Sequence, residues 1–164
     1  MSHYRVTVER NTLRFSAAHF TTFGEECEPL HGHNYDVFVE VNGDLTEDSW
    51  VVDFVELKRL VTEICRQLDH KFLLPLESRR LEVQQNGSNY EIRFKDRRYV
   101  IPSQDVAALP VDNSTAERLA EWIARTLALR LQENGKSHNL RELTVSVEEA
   151  PGQAGWFMLQ LHSG

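Results

Sequence analysis

An α+β fold is predicted by three observations: two helical patterns, pairs of alternating segments flanking them, and a run of short β-like pieces between the helices. The order along the chain is strand, strand, helix, helix, strand, strand. In the first alternating segment Leu13, Phe15, Ala17 and His19 share one face. In the second, Tyr35, Val37, Val39 and Val41 share a face while Asn34, Asp36, Glu40 and Asn42 take the other, the pattern of a half-buried strand. The first helix begins at Asp53, where Asp53-Phe54-Val55-Glu56 has capping-box spacing. Phe54, Leu57, Leu60, Val61, Ile64 and Leu68 recur at helical period, and the helix ends near Asp69. The second begins at Ser114, with Glu117 three residues on, buries Leu119, Ala120, Ile123, Leu127 and Leu131, and stops at Asn134-Gly135. Residues 142–149 and 156–162 alternate as two last strands around the turn Ala150-Pro151-Gly152-Gln153. Between the helices, residues 77–109 hold Leu81-Glu82-Val83, Tyr90 to Phe94 and Tyr99-Val100-Ile101, separated by Asn86-Gly87-Ser88 and Lys95-Asp96-Arg97. This stretch reads as an inserted antiparallel meander.

A chain of 164 residues with 41% hydrophobic content has the size of one domain with a real core, and no Pro/Gly/Ser-rich linker divides residues 1–164. The N-terminal residues lack a basic region followed by an apolar run, and nowhere do eighteen apolar residues stand together, so a cytoplasmic protein without a membrane span is expected. The net charge of −7 argues against nucleic acid or an anionic membrane as partner, since both need a basic surface. Two cysteines make no disulfide framework, and Cys65 falls in a helical pattern as a small buried hydrophobe.

The chemistry is concentrated in Cys27-Glu28-Pro29-Leu30-His31-Gly32-His33 and in His19. His31 and His33, two apart on a strand, can converge on one ion while Gly32 faces away. If the first two strands pair antiparallel through the loop from Phe20 to Leu30, His19 arrives beside them and the loop carries Cys27 over the metal. Three imidazoles with an open fourth position are the pattern of a catalytic zinc site. His3, His138 and His162, without such neighbours, read as exposed or hydrogen-bonded side chains. Asp69-His70 ends the first helix with an acid beside an imidazole, which would raise its basicity and suit proton transfer, although a histidine favourably placed at a helix C-terminus is the simpler reading of that pair alone.

These residues resemble the group of 6-pyruvoyl-tetrahydropterin synthases and 6-carboxytetrahydropterin synthases. The resemblance rests on Phe15 to His19, Cys27 to Tyr35, Val52-Asp53-Phe54 with Leu57-Lys58, Leu68-Asp69-His70, Asn113 to Glu117 and Val145 to Glu149, in that order along nearly the whole chain apart from the meander. It implies a T-fold: a four-stranded antiparallel sheet with two helices on one face, assembled into a homo-hexamer, a dimer of trimers, with active sites at subunit interfaces. It implies that His19, His31 and His33 are zinc ligands, Cys27 the general base, and Asp69 with His70 a second proton-transfer pair. Glu149 then holds the pterin's amino-pyrimidine edge, and Thr115 lines the same pocket. Alternation agrees on the acid, because Glu149 shares a face with Val145 and Val147 and leaves Glu148 outside.

The implied reaction is a zinc-dependent lyase step on 7,8-dihydroneopterin triphosphate. A cysteine at this distance from His-Gly-His resembles the queuosine-pathway enzyme, which forms 6-carboxy-5,6,7,8-tetrahydropterin, acetaldehyde and triphosphate. Glu28 also makes Glu-x-x-His-Gly-His, resembling a branch that forms 6-hydroxymethyl-dihydropterin; 6-pyruvoyl-tetrahydropterin formation and a non-catalytic pterin-binding role are the further alternatives. Ser114 where proline is common, Ala150 where threonine is common, and the long meander depart from the family pattern. The meander's Arg79, Arg80, Arg93, Lys95, Arg97 and Arg98 read as a solvated hairpin face or subunit contact rather than as a triphosphate site.

Overall fold

The computed structural model describes residues 3–161, so His162 lies outside the described residues. Strands β1 (Tyr4–His19) and β4 (His31–Gly43) form the centre, with the small hairpin of β2 (Thr22–Phe23) and β3 (Glu26–Cys27) in the loop between them. Then follow α1 (Phe54–Leu68), β5 (Lys71–Pro75), β6 (Glu82–Asn86), β7 (Asn89–Phe94), β8 (Arg97–Pro102), a 3₁₀ turn (Ser103–Asp105) and β9 (Val106–Leu109). The chain ends with α2 (Ala116–Glu133), β10 (Leu140–Ala150) and β11 (Gln153–Gln160). β1 and β4 pair antiparallel, and the register sets His19 opposite His31 and Ala17 opposite His33.

The expected four-stranded antiparallel sheet is present as β11-β10-β4-β1, but it is part of a larger one. Two more strands extend it to six, in the order β11-β10-β4-β1-β5-β9, and both additions run parallel to their neighbours. Neither carries an alternating signal. Phe72, Leu73 and Leu74 are all buried, as in a strand covered on both faces, and β9 spans only Val106–Leu109. Residues 77–109 therefore divide: β6, β7 and β8 form the separate three-stranded meander, while β9 returns to the main sheet.

The helices cover one face of the sheet. Leu57, Leu60, Val61, Ile64 and Leu68 of α1, with Leu119, Ile123, Leu127 and Leu131 of α2, pack against Val37, Val39, Val41, Leu143, Val145 and Val147 in one continuous core. Each such aliphatic side chain contributes about 1.5–3 kcal/mol by leaving water. Asp53 caps α1 by accepting from the Val55 amide at 2.8 Å, as the motif predicts. The start of α2 differs by one residue: Thr115 is the cap, accepting from the Arg118 amide, while Ser114 is fully buried and donates its hydroxyl to the Phe20 carbonyl. A second cluster, Phe20, Cys27, Phe72, Leu74, Leu81, Ile92 and Phe94, lies beneath the meander. Among the described residues no helix is long and apolar enough to cross a membrane.

Candidate active site

Strand pairing delivers three imidazoles to one end of the sheet. His19 closes β1, His31 opens β4, and the ligand-capable atoms of His19, His31 and His33 all lie within 4.8 Å of one another. Their rings meet edge-on, with centroids 4.7–5.2 Å apart. Two of the three are oriented by backbone. His19 Nδ1 is 2.9 Å from the Ser114 carbonyl and His31 Nδ1 is 2.7 Å from the Pro29 carbonyl. A carbonyl only accepts, so both Nδ1 atoms carry a proton, which leaves Nε2 as the atom each ring can offer to a metal.

His19 is 1% exposed, and its Nε2 is buried with no hydrogen-bond partner among the described residues. Burial pushes this imidazole below its ordinary value, and the neighbouring His31 and His33 add to the effect against the Ser114 bond. An orphaned, neutral nitrogen facing two further imidazoles fits a metal ion, which requires deprotonated ligands. The donor set favours zinc or another imidazole-binding metal over magnesium or calcium.

A cavity of about 330 Å³ opens beside His19 and His31, lined also by Thr21, Glu28, Thr115, Glu117, Glu149 and the β11 backbone near Gly155. Glu149 reaches it from β10, with Oε2 4.0 Å from His33 Nε2. A β-bulge between Glu148 and Ala150 ends the regular ladder there, and Glu148 turns to the opposite side to accept from the Gly152 amide. Gly155 lets β11 lie against the first turn of α2, since a Cβ there would meet the Glu117 nitrogen at 2.4 Å.

The loop places Glu28 in the cavity, not Cys27. The Thr21 amide donates to Glu28 Oε2 at 2.9 Å, while the Glu28 amide donates back to the Thr21 carbonyl. Burial pushes the Glu28 carboxyl up, but the Thr21 donors and the facing His31 and His19 outweigh it and hold it below the usual range. Cys27 is 7% exposed, within the apolar cluster under the meander. Its thiol is pushed up by burial, only partly opposed by Arg97. The expectation that the loop lays Cys27 over the metal position thus gives way to an alternation in which adjacent residues of β3 and the following bend face opposite sides.

Asp69 and His70 do form a pair, with His70 Nδ1 2.9 Å from Asp69 Oδ2, but on another part of the surface. Asp69 Oδ1 accepts from the Ser16 amide at 2.8 Å, tying the end of α1 to β1. Burial raises the Asp69 carboxyl, yet the Ser16 and His70 donors prevail and lower it. His70 is exposed, adopts φ 57°, and lines a second cavity, formed mostly from the face of the sheet away from the helices, with Ser16, Ala18, Gly32 and Asn34 and with His33 of the imidazole cluster. The structure therefore brings together His19, His31, His33, Glu28, Glu149 and Thr115, and leaves Cys27 and the Asp69–His70 pair outside that group.

Sequence reasoning missed three contributors. Ser114 orients His19 through its carbonyl, which no side-chain motif can announce. Thr21 holds Glu28 across a loop. Tyr35, whose hydroxyl is buried without a partner among the described residues, stacks on Phe15 and touches the His19 and His33 rings edge-on; its place in the strand marks it only as core.

With this geometry in view, comparison with known proteins is specific. The family model for 6-pyruvoyl tetrahydropterin synthase matches residues 7–158. A Methanocaldococcus jannaschii protein, provisionally named a 6-carboxy-5,6,7,8-tetrahydropterin synthase, is 36% identical over 146 residues, 88% of this chain and 89% of that one. A Pyrococcus furiosus dihydroneopterin monophosphate aldolase is 41% identical over 59 residues, covering 36% of this chain and 50% of its own. Among solved structures, the Plasmodium vivax 6-pyruvoyltetrahydropterin synthase, in a form with a catalytic glutamate replaced by alanine, superposes with a TM-score of 0.91 at 31% identity, over 98% of this chain and 99% of that one. The chain belongs to the 6-pyruvoyl tetrahydropterin synthase family.

Proposed function

We propose that this chain is a zinc-dependent lyase acting on 7,8-dihydroneopterin triphosphate, forming 6-carboxy-5,6,7,8-tetrahydropterin, acetaldehyde and triphosphate. The observation that carries the reading is the convergence of the three imidazoles with Glu149 and Glu28 on one cavity. The name of the M. jannaschii relative supports this product. His19, His31 and His33 would hold the zinc, which when bound supplies Lewis-acid polarisation of a substrate oxygen.

The chain's own residues do the rest. Glu149 accepts from the amino and ring N–H donors of the pterin, which fixes the ring against the first turn of α2 where Thr115 lies. Glu28, acceptor-only at neutral pH and steadied by Thr21, is placed to take a proton from the substrate side chain. Cys27 can join only if its segment turns, since its thiol now faces the meander core. The Asp69–His70 pair would reach a cavity through a neighbouring copy in a homo-hexamer with interfacial sites, which suits its position on the sheet's other face.

A second reading has a specific observation in its favour. Glu28 rather than Cys27 faces the cavity, and a catalytic glutamate is named in the P. vivax relative. That arrangement favours 6-hydroxymethyl-dihydropterin. Both products keep a single side-chain carbon, so both reactions break the bond between the first and second carbons of the side chain. The test is to incubate zinc-loaded protein with dihydroneopterin triphosphate anaerobically and identify products by mass spectrometry. Carboxytetrahydropterin with acetaldehyde is the expected outcome. Hydroxymethyl-dihydropterin establishes the second reading, and no turnover at full zinc occupancy refutes the lyase reading.

A further inference from the structure

The inserted meander packs against the loop that carries Cys27 and Glu28. Arg97, first residue of β8, directs Nη1 at two backbone carbonyls, those of Cys27 and Glu28, each at 3.0 Å. Two residues earlier, Lys95 Nζ donates to the Glu25 carbonyl at 2.5 Å. Lys95 sits in the tight turn between β7 and β8 with φ 54°, a conformation usually left to glycine or asparagine, so the turn keeps a lysine where its ammonium can reach the loop. Below these bonds Phe20 and Cys27 pack against Leu81, Ile92 and Phe94. The loop from Phe20 to Leu30 is thus held polar side and apolar side by the same small sheet. The other meander arginines in ion pairs, Arg93 and Arg98, both bind Glu91 on β7 and have no part in this contact.

The peptide that Arg97 holds is the one at which the chain changes sides. Cys27 points into the meander core and the next residue, Glu28, points into the cavity of the imidazoles. The two carbonyls flank the Cα of Glu28, so fixing both fixes the direction of that side chain and, with it, which residue faces which compartment.

We propose that Arg97 is the positioning residue of the Cys27–Glu28 segment: from the meander it binds both carbonyls, keeping Glu28 turned into the cavity and Cys27 sealed away. The guanidinium suits this task because its planar donors are rigidly arranged and its charge is permanent. The meander is then a wall of the site, and the loop's position depends on a residue distant in sequence. The kinetic consequence rests on the reading of Glu28 as the cavity's base; the structural consequence does not.

The experiment compares wild type with Arg97→Gln, Arg97→Lys and Arg98→Gln, all zinc-loaded. Cys27 and Cys65 are labelled with iodoacetamide in the native state and quantified by mass spectrometry, with zinc content, kcat and KM measured in parallel. Cys65, 1% exposed inside α1, reports global opening. Arg97→Gln is expected to raise Cys27 labelling about tenfold, one tenfold step in the opening equilibrium, with Cys65 unchanged. Zinc stays at its wild-type level, and kcat falls about tenfold or more with KM nearly constant, as for a displaced catalytic group. Arg97→Lys falls between, because an ammonium can still reach a carbonyl, and Arg98→Gln matches wild type. Unchanged Cys27 labelling in Arg97→Gln overturns the proposal. So does a parallel rise at Cys65 or a loss of zinc, which marks Arg97 as a general support. If Arg97→Gln does not fold, Arg97→Lys decides by the same criteria, and failure of both to fold also overturns it. Should wild type prove inactive on the pterin, the function fails while labelling still judges the clamp.

Discussion

Cys27 and Glu28 are consecutive, both are candidate bases, and they face different media. Cys27 lies among Phe20, Phe72, Leu74, Leu81, Ile92 and Phe94, where burial keeps its proton on. Glu28 lies in a polar cavity, where two bonds from Thr21 keep its proton off. A thiolate is the stronger nucleophile and base in principle, but only the ionised form acts, and here environment widens the gap in availability at neutral pH that an ordinary carboxyl and an ordinary thiol already have. What the comparison teaches is that a motif names candidates, while the side of the chain on which each one lands decides which can work.

The largest effect comes from removing what the two compartments serve. His31→Ala should lose bound zinc and all pterin turnover together, because two imidazoles hold the ion poorly and a lost ligand costs more than the ~10–100-fold typical of an outer-shell partner. Metal analysis of the purified variant checks this; full zinc occupancy would remove His31 from the ligand set. Next, Glu28→Gln and Cys27→Ala should both retain zinc. Loss of a general base costs about 10²–10⁴ in kcat. With Glu28 as the base that faces the cavity, a loss of that order should fall on Glu28→Gln, while Cys27→Ala should keep a rate near wild type; a comparable loss in Cys27→Ala would show instead that the Cys27–Glu28 segment turns during turnover.

The two cysteines sharpen the same contrast. Cys65 is more deeply buried, and desolvation, with the nearby Asp69 charge, pushes its thiol up to about 12 from an ordinary 9.0. The folded chain keeps this proton after the unfolded chain has lost it. Its contribution is therefore fully present below pH 9 and lost as pH rises toward 12, by about 1.4 kcal/mol per pH unit. Denaturant melts between pH 8 and 11 should show that alkaline decline, and Cys65→Ala should flatten it, despite a smaller side chain in the core. A slope unchanged by the substitution would assign the decline to other groups.

Much of this was legible because it is periodic. The pairing of β1 with β4, and with it the meeting of His19, His31 and His33, follows from alternation and one loop. That Glu149 and not Glu148 faces the cavity follows from the same rule, although a bulge intervenes between Glu148 and Ala150. What stayed hidden has no period. β5 is buried throughout, so Phe72, Leu73 and Leu74 show no polar face, and parallel pairing leaves no hairpin signal. The direction of Cys27 depends on packing against Ile92 and Phe94, some seventy positions away. The separation of Asp69 and His70 from the cavity depends on β5 running beside β1, which the strand count from sequence did not include.

The smallest expected effect concerns Tyr35, a third polar group at the boundary between cavity and core. Its hydroxyl is fully buried, beside the rings of His19 and His33, with no hydrogen-bond partner among the described residues. Desolvation raises its pKa, with the Glu149 and Glu28 charges adding to the effect, so it stays a neutral donor. An unsatisfied buried hydroxyl costs about 1–3 kcal/mol, and phenylalanine keeps the ring that stacks on Phe15. Tyr35→Phe should therefore raise the melting temperature of the metal-free protein by about 2–4 °C for each kcal/mol recovered. If the hydroxyl has work to do only when zinc and substrate fill the cavity, the same variant should show the gain without ligand and lose it in the loaded enzyme. A lower melting temperature in the metal-free state would mean that the hydroxyl already has a partner there, such as a bridging water, and that the boundary between the two compartments is wetter than the side-chain contacts indicate.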